Sequence, residues 1–301
     1  MKKTFIVLSL VLGMAIPNIV FASLKIVTTT QDLAAIAKAI GGDYVNVKSL
    51  TPGTRDPHYA EAKPSMIRKV FRADLLLLIG AEMEVGWLPA VLRSSRNINV
   101  QLGSKGHLDL SKHVQLLGIP DAPVDRSMGD VHSEGNPHYW LDPQNGLKIA
   151  KAVSEKLAAL DKEYALYYKN NFTKFEKTLT RKIVEWQESL SYLNGKQVVA
   201  YHTSLLYLAN AFGFTIIKEV EPKPGISPSA SHLSGLVSLI KQQNIKWLIM
   251  EPYYEKRSAD FLNRKTGIKK VVIPQSVGAR DKIKNYFDLF DAIVTAFNEA
   301  K

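Results

Sequence analysis

Short, unbroken apolar runs separated by helix-length segments are the feature that most constrains how this chain can fold. Residues 74–79 read DLLLLI, and residues 197–201 read QVVAY. Runs that are continuously apolar, rather than alternating, are typical of strands buried on both faces of a parallel sheet. The helices between such strands supply the cover for both faces. The sequence therefore predicts an α/β protein.

The strand pattern occurs in two blocks. The predicted strands are 24–30, 45–50 and 74–79 in the first block, and 197–201, 215–220, 245–250 and 269–273 in the second. Between the blocks, residues 144–190 hold no proline, and their apolar residues recur at helical spacing. Because this segment is longer than an ordinary globular helix, we expect at least one break or one long connecting helix.

These blocks predict two Rossmann-like α/β lobes bridged by a long backbone helix. We expect a first lobe over 23–145, a linking helical segment over 146–194 and a second lobe over 195–301. Ligands of such sheets bind at the carboxyl ends of the strands, and a cleft between two lobes is a natural site.

The N-terminus has the pattern of a secretory signal peptide. Two lysines precede an apolar run from Phe5 to Ile16, and Val20 and Ala22 occupy the −3 and −1 positions of a cut after Ala22. The run is shorter than the ~20 residues that a membrane-spanning helix needs. We predict that residues 1–22 are removed and that the protein is exported, most simply into a bacterial periplasm.

The composition narrows the chemistry. The 301 residues include no cysteine, which excludes disulfides, cysteine-based metal sites, thiol nucleophiles and an N-terminal lipid anchor on cysteine. Any metal site must use His, Asp or Glu. The formal charge is +11, but the lysines are scattered along helix faces and no nucleic-acid motif is present. We therefore expect a solvated basic surface and no nucleic-acid partner.

Three of the seven histidines follow predicted strands or precede helices in loops: His58, His138 and His202. Each taken alone is more often a satisfied surface or core histidine, and their wide separation matches no local metal motif. Placed at strand ends of two facing lobes, the three imidazoles can meet in a cleft. From the residues alone both interpretations stay open.

The surroundings of these histidines suggest supporting roles. Pro57 and Pro137 stiffen the backbone before His58 and His138. Asp56 can orient a ligand, and Asp142 is either an acceptor behind a ligand or the N-cap of the next helix. His132, in GDVHSEGNPH, is either an auxiliary ligand or an exposed loop histidine, and we expect the latter.

Several segments together resemble a known family, the zinc- and manganese-binding solute-binding proteins of ABC importers (cluster A-I, zinc-uptake type). The matching segments are TPGTRDPHYAEAKPS, ADLLLLIGAEMEVGWLP, GNPHYWLDP, VVAYHTSLLYLANAFGF, EPKPGISPSASHL and EPYYEKRSADFLNRKTGIKKVVI. The resemblance runs from about residue 24 to the C-terminus, and D-P-H followed by N-P-H-x-W-L-D-P is a specific pairing.

The resemblance implies one metal ion between the lobes, with His58, His138 and His202 as ligands. The fourth ligand in the family is usually an acid, and by register Gln275 stands in its place. We expect water or the amide oxygen of Gln275 there, with Glu251 or Asp281 as further alternatives. Only Asp130, His132 and Glu134 remain of the longer His- and acid-rich loop of some zinc-specific relatives.

The resemblance also implies the function: periplasmic capture of a divalent metal and its delivery to a membrane permease whose ATPase drives import. Three imidazoles and no carboxylate favour Zn²⁺ over Mn²⁺ as the transported ion. We expect a monomer that is not an enzyme and that reaches the membrane only through the permease. The alternatives are manganese as cargo, a three-histidine zinc hydrolase with an open fourth position, and an adhesin.

Overall fold

The computed structural model describes residues 23–125, 128–129 and 131–301. The predicted signal peptide, residues 1–22, and Asp130 lie outside the described residues. Among the helices of the described part, none is long and apolar enough to cross a membrane.

Two four-stranded parallel sheets confirm the predicted α/β class. The strand order is β2-β1-β3-β4 in the first sheet and β6-β5-β7-β8 in the second. The strands are β1 (Leu24–Thr28), β2 (Val45–Ser49), β3 (Leu75–Leu78), β4 (His107–Asp109), β5 (Gln197–Ala200), β6 (Thr215–Glu219), β7 (Trp247–Met250) and β8 (Lys269–Val272). The equivalent orders place β1 and β5 at corresponding inner positions, so that the loops after them open at the same edge of their sheets.

Nine α-helices of the described residues cover the sheets. They are α1 (Gln31–Gly41), α2 (Pro64–Phe71), α3 (Leu88–Ser95), α4 (Pro143–Leu160), α5 (Ala165–Ser189), α6 (Leu206–Phe212), α7 (Ala230–Gln243), α8 (Lys256–Thr266) and α9 (Tyr286–Glu299). The linking segment breaks after Asp161, as expected, and α4 packs against α5. Helix α5, about 37 Å long, contacts both α1 and α9 and so bridges the two lobes. The domain boundaries stay a prediction.

Three local features differ from the sequence prediction. Strand β4 was missed because it has three residues, of which only Leu108 is a buried apolar residue. The sequence predicts a helix over residues 84–92, but α3 begins at Leu88, because the Glu84 carboxylate instead accepts hydrogen bonds from the backbone of Ile79 and Gly80. The sequence predicts a last helix over residues 281–300, but α9 begins after Asn285, whose side chain forms a capping box with Asp288.

The two lobes share one continuous hydrophobic core. It joins residues of β1 and α1 to residues of β5 and α9 through α4 and α5. A buried polar contact adds to it: Asp32 at the start of α1 accepts hydrogen bonds from Ser276 Oγ (2.5 Å) and the backbone N–H of Val277 (2.9 Å), beyond β8. Burial raises the pKa of Asp32 to about 6 even though these donors oppose the shift. A shared core of this kind couples the lobes closely.

Candidate metal centre

His58 is fixed by the aspartate two residues before it. Asp56 Oδ1 accepts hydrogen bonds from the backbone N–H of His58 (2.9 Å) and from its ring Nδ1 (2.7 Å). Pro57 holds φ within the 3₁₀ turn that carries the ring. Burial alone would raise the pKa of Asp56, but the hydrogen bonds and charge of His58 lower it below its ordinary value. The aspartate thus stays ionised and keeps the proton on Nδ1, so that Nε2 carries the lone pair that can bind a metal ion.

His138 is held in the same way by an asparagine. Asn136 Oδ1 lies 3.0 Å from the backbone N–H of His138 and 3.0 Å from its Nδ1. Asn136 also donates from Nδ2 to the backbone carbonyl of Thr203 in the second lobe (2.8 Å). Burial, and then the neighbouring histidines, lower the pKa of His138 well below 6.5, so that this ring is neutral at physiological pH. D-P-H and N-P-H are therefore two copies of one local device.

His202 comes from the second lobe, directly after β5. Its Nδ1 lies 2.7 Å from Glu221 Oε2, which also accepts from the backbone N–H of Gly225 (2.9 Å). Burial lowers the pKa of His202, but the hydrogen bond to Glu221 and the charges of Glu251 and Asp56 raise it by a larger amount. The net pKa of His202 therefore lies above 6.5. All three rings are thus anchored through Nδ1 by an oxygen, an arrangement typical of metal-ligating histidines.

Asp142 does not support a ligand. Its Oδ1 accepts from the backbone N–H of Gln144 (2.8 Å), and it is the N-cap of α4. Of the two roles that the sequence left open, the structure shows the cap. The side chain behind His138 is Asn136, so that balancing charge comes from Asp56 and Glu221 and not from Asp142.

The three predicted histidines meet at one place between the lobes. The ring centroid of His58 lies 5.1 Å from that of His138 and 6.5 Å from that of His202. The centroids of His138 and His202 are 6.0 Å apart. Imidazoles aimed at one tetrahedral Zn²⁺, with each nitrogen ~2.0–2.1 Å from the ion, have centroids about 5.2 Å apart. The ring of His202 is therefore about 1 Å too far from the other two rings to share one ion with them. Within the described residues, no group of three or more ligating side chains has metal-binding geometry.

The three residues considered as a fourth metal ligand differ in burial and in hydrogen bonding. Gln275 is buried, but its Oε1 already accepts a hydrogen bond from Tyr253 and its Nε2 is without a partner. Asp281 is exposed. Glu251 is fully buried; Ser204 donates to its Oε1, Oε2 has no partner, and burial raises its pKa to about 7.

His132 occupies a different place from the exposed loop position that we expected. It is half-buried, its ring stacks on that of His58 with centroids 5.1 Å apart, and the two Nε2 atoms lie 3.0 Å apart. The prediction that His132 is exposed was wrong, because stacking against the imidazole of His58 buries its ring. The remaining described histidines lie elsewhere: His113 is exposed, and His107 and His232 bind the backbone carbonyls of Val100 and Glu219.

Two supporting residues, Asn136 and Glu221, were not predicted from the sequence. Asn136 carried a usable signal, because it stands before Pro-His as Asp56 does. Glu221 carried none, since its distance of 19 residues from His202 is set by the crossover through α6 and β6.

Residues 26–300 match the family model of ZnuA, the periplasmic component A of the zinc-uptake complex. Two curated relatives come from Streptococcus pneumoniae. The zinc-binding lipoprotein AdcA is 26% identical over 253 residues, 83% of this chain but only 49% of AdcA, so that the chain spans about half of that relative. The manganese ABC transporter substrate-binding lipoprotein PsaA is 23% identical over 250 residues, 81% of this chain and 77% of PsaA.

The fold is also that of a solved ZnuA structure. The TM-score is 0.76 at 24% identity, with 92% of this chain and 98% of the solved chain covered. At that identity the likeness shows the fold alone, and it agrees with the two bridged parallel-sheet lobes. Because the family model covers almost the whole described chain, the protein belongs to the family of ZnuA, the periplasmic component A of the zinc-uptake complex.

Proposed function

We propose that this chain is the metal-capturing protein of an ABC importer, and that it binds Zn²⁺ through Nε2 of His58, His138 and His202. The observation that carries the proposal is the shared anchoring of the three rings. Each Nδ1 is held within 3.0 Å of a side-chain oxygen, from Asp56, Asn136 or Glu221. This fixes the tautomer that leaves Nε2 for the ion.

The donor set favours zinc over manganese as the cargo. Imidazole suits Zn²⁺, whereas Mn²⁺ prefers carboxylate and carbonyl oxygen. The relatives named above include one zinc and one manganese protein, so that the chemistry of the site carries this choice. The comparisons give no support to the zinc-hydrolase alternative, since the relatives are named for metal binding and transport.

The proposed partners follow from the family. The loaded protein delivers its ion to a membrane permease coupled to an ATPase, and it acts in the periplasm as a monomer after removal of residues 1–22. Both relatives are named as lipoproteins, whereas this chain contains no cysteine to carry a lipid. Mass spectrometry of the protein from a periplasmic fraction tests whether the mature chain begins at Ser23.

Zinc affinity should fall as the pH decreases, and Glu221 should determine the pH at which the affinity declines. Only a neutral imidazole ligates, so that protons compete with the ion. Because Glu221 helps to raise the pKa of His202 above 6.5, Glu221→Gln should move the decline to lower pH. It should also weaken binding at pH 8 roughly 10- to 100-fold by removing a charged hydrogen-bond partner.

Competition titrations between pH 5.5 and 8 measure both effects of Glu221→Gln. If the pH at which affinity declines is the same in the variant and the wild type, Glu221 does not control His202. If affinity in the variant declines at a higher pH than in the wild type, Glu221 lowers the pKa of His202 instead of raising it.

Metal binding should change the relative position of the lobes very little. The core is continuous across both lobes, and Asp32 ties α1 to the loop after β8. His202 needs to approach the other rings by only about 1 Å, a shift that loop adjustment can supply. Small-angle scattering with and without Zn²⁺ should give the same radius of gyration within error, and a clear contraction would contradict a rigid linkage.

A further inference from the structure

Nε2 of His132 lies within reach of an ion bound by His58. The two Nε2 atoms are 3.0 Å apart, and nitrogens sharing one tetrahedral Zn²⁺ are about 3.3 Å apart. The ring centroids, at 5.1 Å, have the spacing expected of two ligands of one ion. In the metal-free protein, His132 donates Nε2–H to the lone pair of His58, since Nδ1 of His58 carries its proton toward Asp56.

The loop that carries His132 is fastened to the first lobe by Glu82. Glu82 Oε2 accepts from the backbone N–H of Ser133 (2.6 Å), and Oε1 accepts from its hydroxyl (2.9 Å). The backbone N–H of Gly135 bonds back to the carbonyl of His132 (3.2 Å), closing a turn. Ser133 is thus held at two atoms by charge-assisted hydrogen bonds, and His132 is held at its carbonyl by a backbone hydrogen bond.

Glu82 belongs to a turn after β3 in which the backbone takes an uncommon conformation. Ala81 and Glu82 both have positive φ, 47° and 64°, directly after Gly80 at 74°. The buried carboxylate of Glu84 holds this turn by accepting from the backbone of Ile79 (2.8 Å) and Gly80 (3.1 Å). Strained backbone persists where its surroundings impose it, and it clusters at functional sites.

The other candidates for a fourth ligand fit less well. The oxygen of Gln275 is engaged by Tyr253, and Asp281 is exposed. Oε2 of the buried Glu251 is without a partner, but Oε1 accepts a hydrogen bond from Ser204, two residues after His202. His132, in contrast, has its Nε2 atom 3.0 Å from that of the anchored ring of His58.

We propose that His132 is the fourth nitrogen ligand of the ion, and that Glu82 and Ser133 form a clasp that positions its loop over the site. This inference rests on the proposed metal binding by His58, His138 and His202. It gives a site of four imidazoles with no carboxylate ligand, contributed by three segments of the first lobe and one of the second. Binding requires His132 to move its ring proton from Nε2 to Nδ1.

The test counts metal-bound imidazoles directly. X-ray absorption of the zinc-loaded protein, together with ¹⁵N spectra of histidine-labelled protein, should show four bound rings in the wild type and three in His132→Ala. Because it removes one of four ligands, His132→Ala should weaken zinc binding roughly 100- to 1,000-fold and speed zinc release. Three bound rings in the wild type would overturn the proposal, and so would wild-type affinity in His132→Ala; His132 would then be a placeholder that the ion displaces.

A double-mutant cycle tests the clasp. Glu82→Gln should weaken binding less than His132→Ala, and the double variant should bind no more weakly than His132→Ala alone, because the clasp acts only through His132. Additive losses would show that Glu82 acts otherwise. Glu134→Gln is the matched control on the same loop: its pair with Lys112 is long (3.4 Å) and exposed, so that affinity should be unchanged.

The same titrations separate the two proposals. If His132→Ala binds as the wild type does while His58→Ala has lost tight binding, only the fourth ligand is wrong. If His58→Ala also binds as the wild type does, the proposed metal centre itself is wrong. Circular dichroism of each variant verifies that the fold is retained.

Discussion

Replacing His58 or His202 by alanine should abolish tight zinc binding while leaving the fold intact. The free energy of structural zinc sites is about 10–16 kcal/mol, so that each of four ligands supplies about 2.5–4 kcal/mol. At 1.4 kcal/mol per factor of ten, the loss of one ligand weakens binding roughly 100- to 1,000-fold. Isothermal titration of the purified variants against zinc in a competing chelator measures the change.

The fold should survive because neither ring belongs to the hydrophobic core. After His58→Ala the backbone N–H at position 58 still binds Asp56, and after His202→Ala the Glu221 carboxylate keeps the N–H of Gly225. His113→Ala is the matched control, since His113 is exposed and should bind zinc as the wild type does. Wild-type affinity in His58→Ala or His202→Ala would refute the ligand assignment.

The sequence was sufficient for the architecture because strands buried on both faces leave an unmistakable apolar run. Leu75 to Leu77 have no exposed surface, and the run DLLLLI predicted their strand correctly. Strand β4 has no such run, since His107 and Asp109 flank its one buried leucine. Where a helix begins was harder to predict, because side-chain hydrogen bonds such as those of Glu84 and Asn285 decide it.

The candidate site was predictable in its histidines but not in what holds them. Asp56 stands two residues from its ring, so that the contact is local and visible in the sequence. Glu221 and Glu82 act across 19 and 51 residues, and only the folded chain brings them to His202 and Ser133. The burial of His132 was missed for the same reason, since its contact with His58 spans 74 residues.

Zinc should outcompete manganese for this protein by about 1,000-fold or more. Affinity for nitrogen donors rises from Mn²⁺ toward Zn²⁺, and Gln275 stands where the resemblance places an acid. The Gln275 oxygen is also engaged by Tyr253 and offers Mn²⁺ little. Competition titration of the metal-free protein against the two ions, with the bound metal quantified by mass spectrometry, measures the ratio.

A carboxylate at position 275 should lower the ratio of zinc affinity to manganese affinity. Gln275→Glu keeps the length of the side chain and adds an oxygen donor of the kind that Mn²⁺ prefers, so that manganese affinity should rise about tenfold while zinc affinity changes less. Gln144→Glu, a substitution at an exposed position in the first turn of α4, adds the same charge away from the site and should leave the ratio unchanged. Comparable affinities for both ions in the wild type would contradict selection by imidazole donors, and manganese would then be an equal candidate for the cargo.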